Sequence, residues 1–265
     1  MIIDIHTHCF PDAIARRAVE KLENTAQGKV KAVLDGTVGA LLKSMEEAQV
    51  GLSVIQPIAT RPGQEKNINN WASSIQGAKI CSFGTIHPDS SNWRDEISRI
   101  ADLGLKGIKL HPDYQGFFVQ EPRMFPIYEA ICEKNLILLL HCGVDLGFPE
   151  PYHCIPVHLK QVIERFPEGR WIAAHMGGWS LWEEVEQHLL GLPVYLDTSF
   201  CRPYLSEAKM VELIRRHGVG RVLYGSDSPW AGQRESIDQI ATLNLSAEER
   251  QQILGENAAQ LLKIK

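Results

Sequence analysis

The sequence is poor in the features that would put it in a membrane, on a nucleic acid or in a disulfide-stapled scaffold. Its longest apolar run, LILLL at 136–140, is about a quarter of what a membrane-spanning helix needs. No basic segment followed by a long apolar stretch opens the chain, so no secretory leader is expected. Lysine and arginine total 27 against 32 aspartates and glutamates, a formal net charge of −5, and the basic residues form no stripe. That balance counts against a dedicated nucleic-acid surface. The six cysteines include no Cys-x-x-Cys pair, and a chain of 265 residues buries enough core to do without covalent staples. Reduced thiols in a cytoplasmic protein are the simplest expectation. Gly-x-Gly-x-x-Gly is also missing after the first apolar run, which weakens a dinucleotide-binding reading.

What is present is a recurring alternation. Eight apolar runs rich in β-branched residues read as strands: IIDIH (2–6), LSVIQPI (52–58), KICSFGTI (79–86), KGIKL (106–110), LILLL (136–140), WIAAH (171–175), PVYLD (193–197) and RVLYGSD (221–227). Most are apolar on both faces, as strands of a covered parallel sheet are. Between them, apolar residues at three and four spacing predict helices over 38–49, 92–104, 124–135, 157–166, 181–190 and 206–218, with a further one over 65–77. Ser206 and Gly218 mark the start and stop of the last of the six. His188 and His217, late on their helices, suit the charge preference of a helix C-terminus. Strand and helix alternating eight times predict an α/β fold, a (β/α)₈ TIM barrel in one domain over 1–265. A doubly wound open sheet is the alternative. The long interval 9–36 predicts an extra helix or loop after the first strand, and the tail predicts two short helices broken at Gly255.

The chemistry sits where the strands stop. The first ends in His6 and His8, the fourth in Lys109 and His111, the fifth in His141, the sixth in His175 and the eighth in Asp227. In a parallel barrel these ends open at one mouth, so imidazoles and a carboxylate from separate strands can converge. Three or four N and O donors with one open position make a catalytic divalent site, and the cation brings the pKa of its water to about 7. His-x-His on a strand points both rings the same way. Each residue alone has a plainer explanation: a hydrogen-bonded strand-end histidine, or an aspartate capping the next helix. Together, at one end of several strands, they favour the metal site.

The motifs DIHTH (4–8), GIKLHP (107–112), LLLHCG (138–143), AAHMGG (173–178), LDTSF (196–200), LYGSDSPW (223–230) and GENAAQLL (255–262) resemble the amidohydrolase superfamily. The resemblance is nearest to the branch containing aminocarboxymuconate-semialdehyde decarboxylase and pyrone-dicarboxylate lactonase. It implies that His6, His8, His141 and Asp227 hold one divalent metal, zinc first, with manganese or a second metal as alternatives. It implies that His175 is either a ligand or a group touching water or substrate beside the metal, and that Asp227 carries protons. Some members have a carboxylated lysine at the position of Lys109. The plainer expectation is an ammonium paired with Asp4 or Asp227.

Arg202, following the seventh strand, is a candidate to bind a substrate carboxylate, and His111, Trp179 and Trp230 are candidate pocket walls. The leading functional expectation is a hydrolase activating water toward an amide, lactone or ester-like bond of a small acidic substrate. The alternative is non-oxidative decarboxylation of an unsaturated or aromatic acid on the same ligands. A remote alternative is a metal-free lyase using Lys109 as a Schiff-base nucleophile. The expected partner is a small molecule, with neither nucleic acid nor membrane, and a homodimer as the oligomeric state to test.

Overall fold

The computed structural model describes residues 1–264, and each of the eight apolar runs supplies a strand. These are β1 (Ile2–Thr7), β2 (Val50–Ile55), β3 (Ile80–Ser82), β4 (Gly107–Leu110), β5 (Ile137–Leu140), β6 (Arg170–Ala173), β7 (Val194–Asp197) and β8 (Val222–Leu223). All ladders are parallel, in the orders β1-β2-β3 and β4-β5-β6-β7-β8. Backbone hydrogen bonds stitch the two sheets together on both sides. Gly84 donates to Gly107 (2.8 Å) and Lys109 to Gly84 (2.9 Å). On the other side Ile5 donates to Tyr224 (2.9 Å) and Asp227 to His6 (2.8 Å). The ring of eight strands is thereby closed, as a TIM barrel requires.

Helices fill the crossovers: α1 (Ala15–Thr25), α2 (Val38–Ala48), α3 (Glu65–Ser74), α4 (Trp93–Asp102), α5 (Pro112–Gln115), α6 (Phe125–Glu133), α7 (Pro156–Arg165), α8 (Trp182–His188), α9 (Glu207–His217) and α10 (Gln233–Thr242). Helix α1 is the extra element expected after the first strand. Ser206 does cap α9, accepting a bond from the Lys209 amide. Along β5 the pleat sorts the side chains: Ile137 and Leu139 pack inside the barrel, Leu138 and Leu140 against the helical layer. Among the described residues no helix is long and apolar enough to cross a membrane.

Three expectations are corrected. The strands are shorter than the apolar runs; β8 is two residues long because RVLYGSD leaves the ladder to build the mouth of the barrel. The tail is not broken at Gly255. Helices α11 (Ala247–Gln251) and α12 (Asn257–Leu262) are joined through a π-helical segment, Gln252–Glu256, that contains it. The glycine is required by closeness: a Cβ there would lie 2.0 Å from the Met1 carbonyl oxygen. Ala258, Leu261 and Leu262 of α12 then plug the barrel floor.

The third correction is His217. It is 2% exposed and neutral rather than a charged helix terminus. Its Nε2–H donates to the Val194 carbonyl (2.8 Å) and its Nδ1 accepts from the Gly191 amide (3.3 Å). Burial lowers its pKa from 6.5 to about 4. As pH falls through that interval the unfolded chain takes up a proton that the folded chain refuses, so stability declines, by roughly 3 kcal/mol in full. His217→Gln keeps a donor toward Val194 and removes the titration. Chemical denaturation of the variant should show most of that loss between pH 6.5 and 4 gone, relative to the parent chain.

Candidate metal centre

The residues singled out at the strand ends do gather at the barrel mouth. His6, His8, Lys109, His111, His141, His175, Trp179, Asp227 and Trp230 all line one cavity. Arg202 does not. Its guanidinium pairs with Glu207 at 2.9 Å, where α9 begins, and it is not among the residues that line this cavity.

The protonation of the histidines follows from their partners. His6 Nδ1 lies 2.9 Å from Asp197 Oδ2, and a buried carboxylate is an acceptor, so His6 carries its proton on Nδ1. His8 Nδ1 lies 2.9 Å from the Gln56 carbonyl, which fixes the same tautomer. Both Nε2 atoms therefore present bare lone pairs. They face each other at 3.2 Å, with Asp227 Oδ1 3.2 Å from His8 Nε2 and 3.5 Å from His6 Nε2. Apart from the Lys109 ammonium, 3.4 Å from His6 Nε2, no donor serves these three acceptors, and they repel unless a cation occupies the centre. This donor set of two imidazoles and one carboxylate suits a divalent transition metal. Burial opposes a carboxylate at Asp227, and its lowering to about 2 requires positive charge beside it, on protonated His6 and His8; with both rings neutral, a cation at the centre must supply that charge.

The rest of the expected ligand set is arranged differently. His175 Nδ1 lies 2.9 Å from the Ser199 carbonyl and so carries its proton there; its Nε2 accepts from His141 Nδ1 at 3.0 Å. His141 Nε2 is then a bare lone pair, buried and without a partner. It is not part of the tight group of three. It groups instead with His111 and Asp145. His111 stacks on His141 at 4.1 Å and donates from Nε2 to Asp145 Oδ2 at 3.2 Å. Burial pushes His111 and His141 well below the ordinary histidine range.

Lys109 also departs from expectation. Among the described residues no carboxylate pairs with it within 4.0 Å; its Nζ lies 3.4 Å from His6 Nε2. Asp4 is engaged elsewhere, by Ser226 Oγ (2.6 Å) and Gln233 Nε2 (2.8 Å). Burial lowers Lys109 to about 8, with Asp197 and Asp227 opposing.

Local backbone supports the geometry. The β1–β2 register is irregular between Asp4 and Thr7, and such bulges re-aim side chains where His6 enters the site. His175 (φ 59°) and Asp227 (φ 71°) adopt left-handed backbone, a cost of about 1–3 kcal/mol each that packing must offset. Gly143 (φ 92°), two residues after His141, admits no side chain: a Cβ would lie 2.2 Å from the Trp179 amide nitrogen. Sequence reasoning missed Asp145, beside His111, and it also missed Asp197. Its signal was visible in PVYLD, an aspartate ending the seventh strand. Besides His6, it accepts from the His175 and Ser199 amides at 3.0 Å each, and from Ser199 Oγ.

The model of a family described as Amidohydrolase matches residues 3–264. A comparison with curated proteins finds no match. Among solved structures, the chain is similar to an uncharacterised TIM-barrel protein from Bordetella bronchiseptica, with 17% identity, 99% and 98% of the two chains covered and a TM-score of 0.78. It is similar to 5-carboxyvanillate decarboxylase from Novosphingobium aromaticivorans, complexed with manganese and 4-hydroxy-3-methoxy-5-nitrobenzoic acid; identity is 15%, coverage 100% and 96%, TM-score 0.74. A third is 2,6-dihydroxybenzoate decarboxylase from Rhizobium, with 16% identity, 99% and 98% coverage and a TM-score of 0.72. At these identities the likeness shows the fold.

Proposed function

The chain belongs to the amidohydrolase family, and from that premise we propose that it is a metal-dependent, non-oxidative decarboxylase of a small aromatic or unsaturated carboxylic acid. The observation that carries the metal is the convergence of three lone-pair donors. His6, His8 and Asp227 would hold the cation, with the unpartnered Nε2 of His141 as a further donor. Manganese is the first ion to test, because the Novosphingobium enzyme holds it; zinc suits the same donors. Decarboxylation is favoured over hydrolysis, the leading expectation from the sequence, because similar structures include decarboxylases of aromatic acids, although amidohydrolases of unassigned activity are similar too.

A bound divalent cation supplies positive charge that anchors the substrate acid beside the bond to be broken. The chain's own groups do the rest. Loss of carbon dioxide leaves an electron pair on carbon, and that carbon takes up a proton. Asp227, held as a carboxylate, is a ligand and acceptor rather than the acid. The proton of His175 is committed to Ser199. Lys109 has N–H donors with no carboxylate to hold them, and lines the cavity floor, so it is assigned as the proton donor. Apolar walls keep water from the reacting carbon.

The test is a panel of hydroxybenzoates, lactones and amides offered to the manganese-loaded chain, with carbon dioxide release as one readout and ring opening or amine release as the other. Carbon dioxide release that falls at least a hundredfold on chelation and returns with manganese is expected. Turnover of a lactone or amide without carbon dioxide would establish the hydrolase instead. Turnover that survives chelation, with a borohydride-trapped adduct on Lys109, would establish the Schiff-base lyase.

A further inference from the structure

The cavity above the three donors is selective in what it lacks. Its volume is about 130 Å³, close to the ~150 Å³ of a cavity that holds one benzene ring. Leu22 of α1, Val30, Ile58 and Leu146 line it together with Trp179 and Trp230. The one cationic side chain on the lining is Lys109, at the floor beside His6. Arg202, the cation that would have met a second acid group, is tied to Glu207 outside. The one carboxylate on the lining other than Asp227 is Asp145, bonded to His111.

We infer that the substrate is a single-ring monocarboxylic acid whose other polar group is a neutral hydroxyl, and that dicarboxylic acids are excluded. The inference rests on the metal-centred reading above, which gives the first carboxylate its anchor at the floor. A second carboxylate, projecting from the same ring, would lie against apolar walls or face Asp145. No cation stands there to offset the loss of water, and burying an uncompensated charge is costly. Selectivity then comes from an unfavourable encounter with the wrong ligand as much as from contacts with the right one. A hydroxyl is different. It is small, uncharged, and able to donate to His111 Nδ1, which is buried without a partner while Nε2 is committed to Asp145. The aromatic walls suit a flat ring stacked between them.

The experiment uses two probes that differ by one group: salicylate, and 4-hydroxyisophthalate, which is salicylate with a further carboxylate. Binding of each to the full manganese-loaded chain is measured by calorimetry, with ion occupancy read by electron paramagnetic resonance. Salicylate is expected to bind at least tenfold more tightly. In Leu22→Arg, which brings a cation to the cavity rim, the gap should narrow at least fivefold. Equal or tighter binding of the dicarboxylate by the parent chain overturns this inference and leaves the metal-centred reading standing. An unchanged gap in a folded Leu22→Arg chain also counts against it. If the ion is held and neither acid binds, the carboxylic-acid substrate fails and this inference with it; if the ion is not held, the metal-centred reading fails and this inference falls with it.

Discussion

Asp227→Asn is expected to lower turnover by roughly 10²–10⁴-fold while leaving the fold intact. The substitution is chosen for its backbone. Asp227 has φ 71°, and asparagine, like aspartate, accepts that left-handed region more readily than other residues. What changes is charge and the sense of the hydrogen bond. The carboxylate now presents Oδ1 to two bare Nε2 atoms, at 3.2 and 3.5 Å. An amide can turn its N–H₂ toward them instead and satisfy both. The metal-free protein should therefore be as stable as the parent or slightly more so, while manganese binding weakens at least a hundredfold. Thermal unfolding with and without manganese separates the two effects. A variant that binds manganese normally would remove Asp227 from the donor set and leave His141, His111 and Asp145 as the group that holds the ion.

Asp197→Asn should be the second large effect, and it acts through His6. The carboxylate forces the His6 proton onto Nδ1, at 2.9 Å, and so leaves Nε2 bare for a cation. An amide can keep the bonds from the His175 and Ser199 amides through its oxygen. Its nitrogen then faces His6 Nδ1 and requires that atom to accept. The tautomer reverses, and the proton moves to Nε2, where the ion would sit. Manganese affinity should drop about 10–100-fold, the usual cost of losing an outer partner of a ligating histidine. Stability should fall by about 2 kcal/mol, because a charged acceptor in a buried network is lost. A purely structural role would lower stability without moving the proton. Nitrogen-15 shifts of the His6 ring distinguish the cases, since they report which nitrogen is protonated.

These two residues also show what could be read from the sequence. Asp227 was legible because it ends an apolar run in a chain whose first, fourth, fifth and sixth runs end in or beside histidine. Barrel topology alone implies that such ends meet. The role of Asp197 required knowing that the end of β7 lies behind His6, 191 residues earlier in the chain. That is a fact of three-dimensional register, not of local pattern. The grouping of His141 with His111 and Asp145 is of the same kind. Residue order places Arg202 after the seventh strand, but the direction of its side chain, paired with Glu207 on the first turn of α9, was not legible in the sequence. Gly255 looked like a helix breaker because glycine has low helical propensity; its purpose is room for the backbone of Met1. The strands were legible as apolar runs, but not their lengths, since residues of the same runs leave the ladder to build the mouth, as Tyr224 to Asp227 do after β8.

The joint between the first and last strands gives the centre a mechanical meaning. β1 and β8 belong to different sheets, and the bond from the Asp227 amide to the His6 carbonyl is among the few that stitch them. The donors fall on the two sides of that joint: His6 and His8 on one, Asp227 on the other. An ion shared by them would act as a clasp, strengthening one of the two seams between the sheets by an amount that grows with occupancy. The amides of His8 and Asp227 should then be the reporters of metal loading, exchanging with solvent more slowly as the clasp fills.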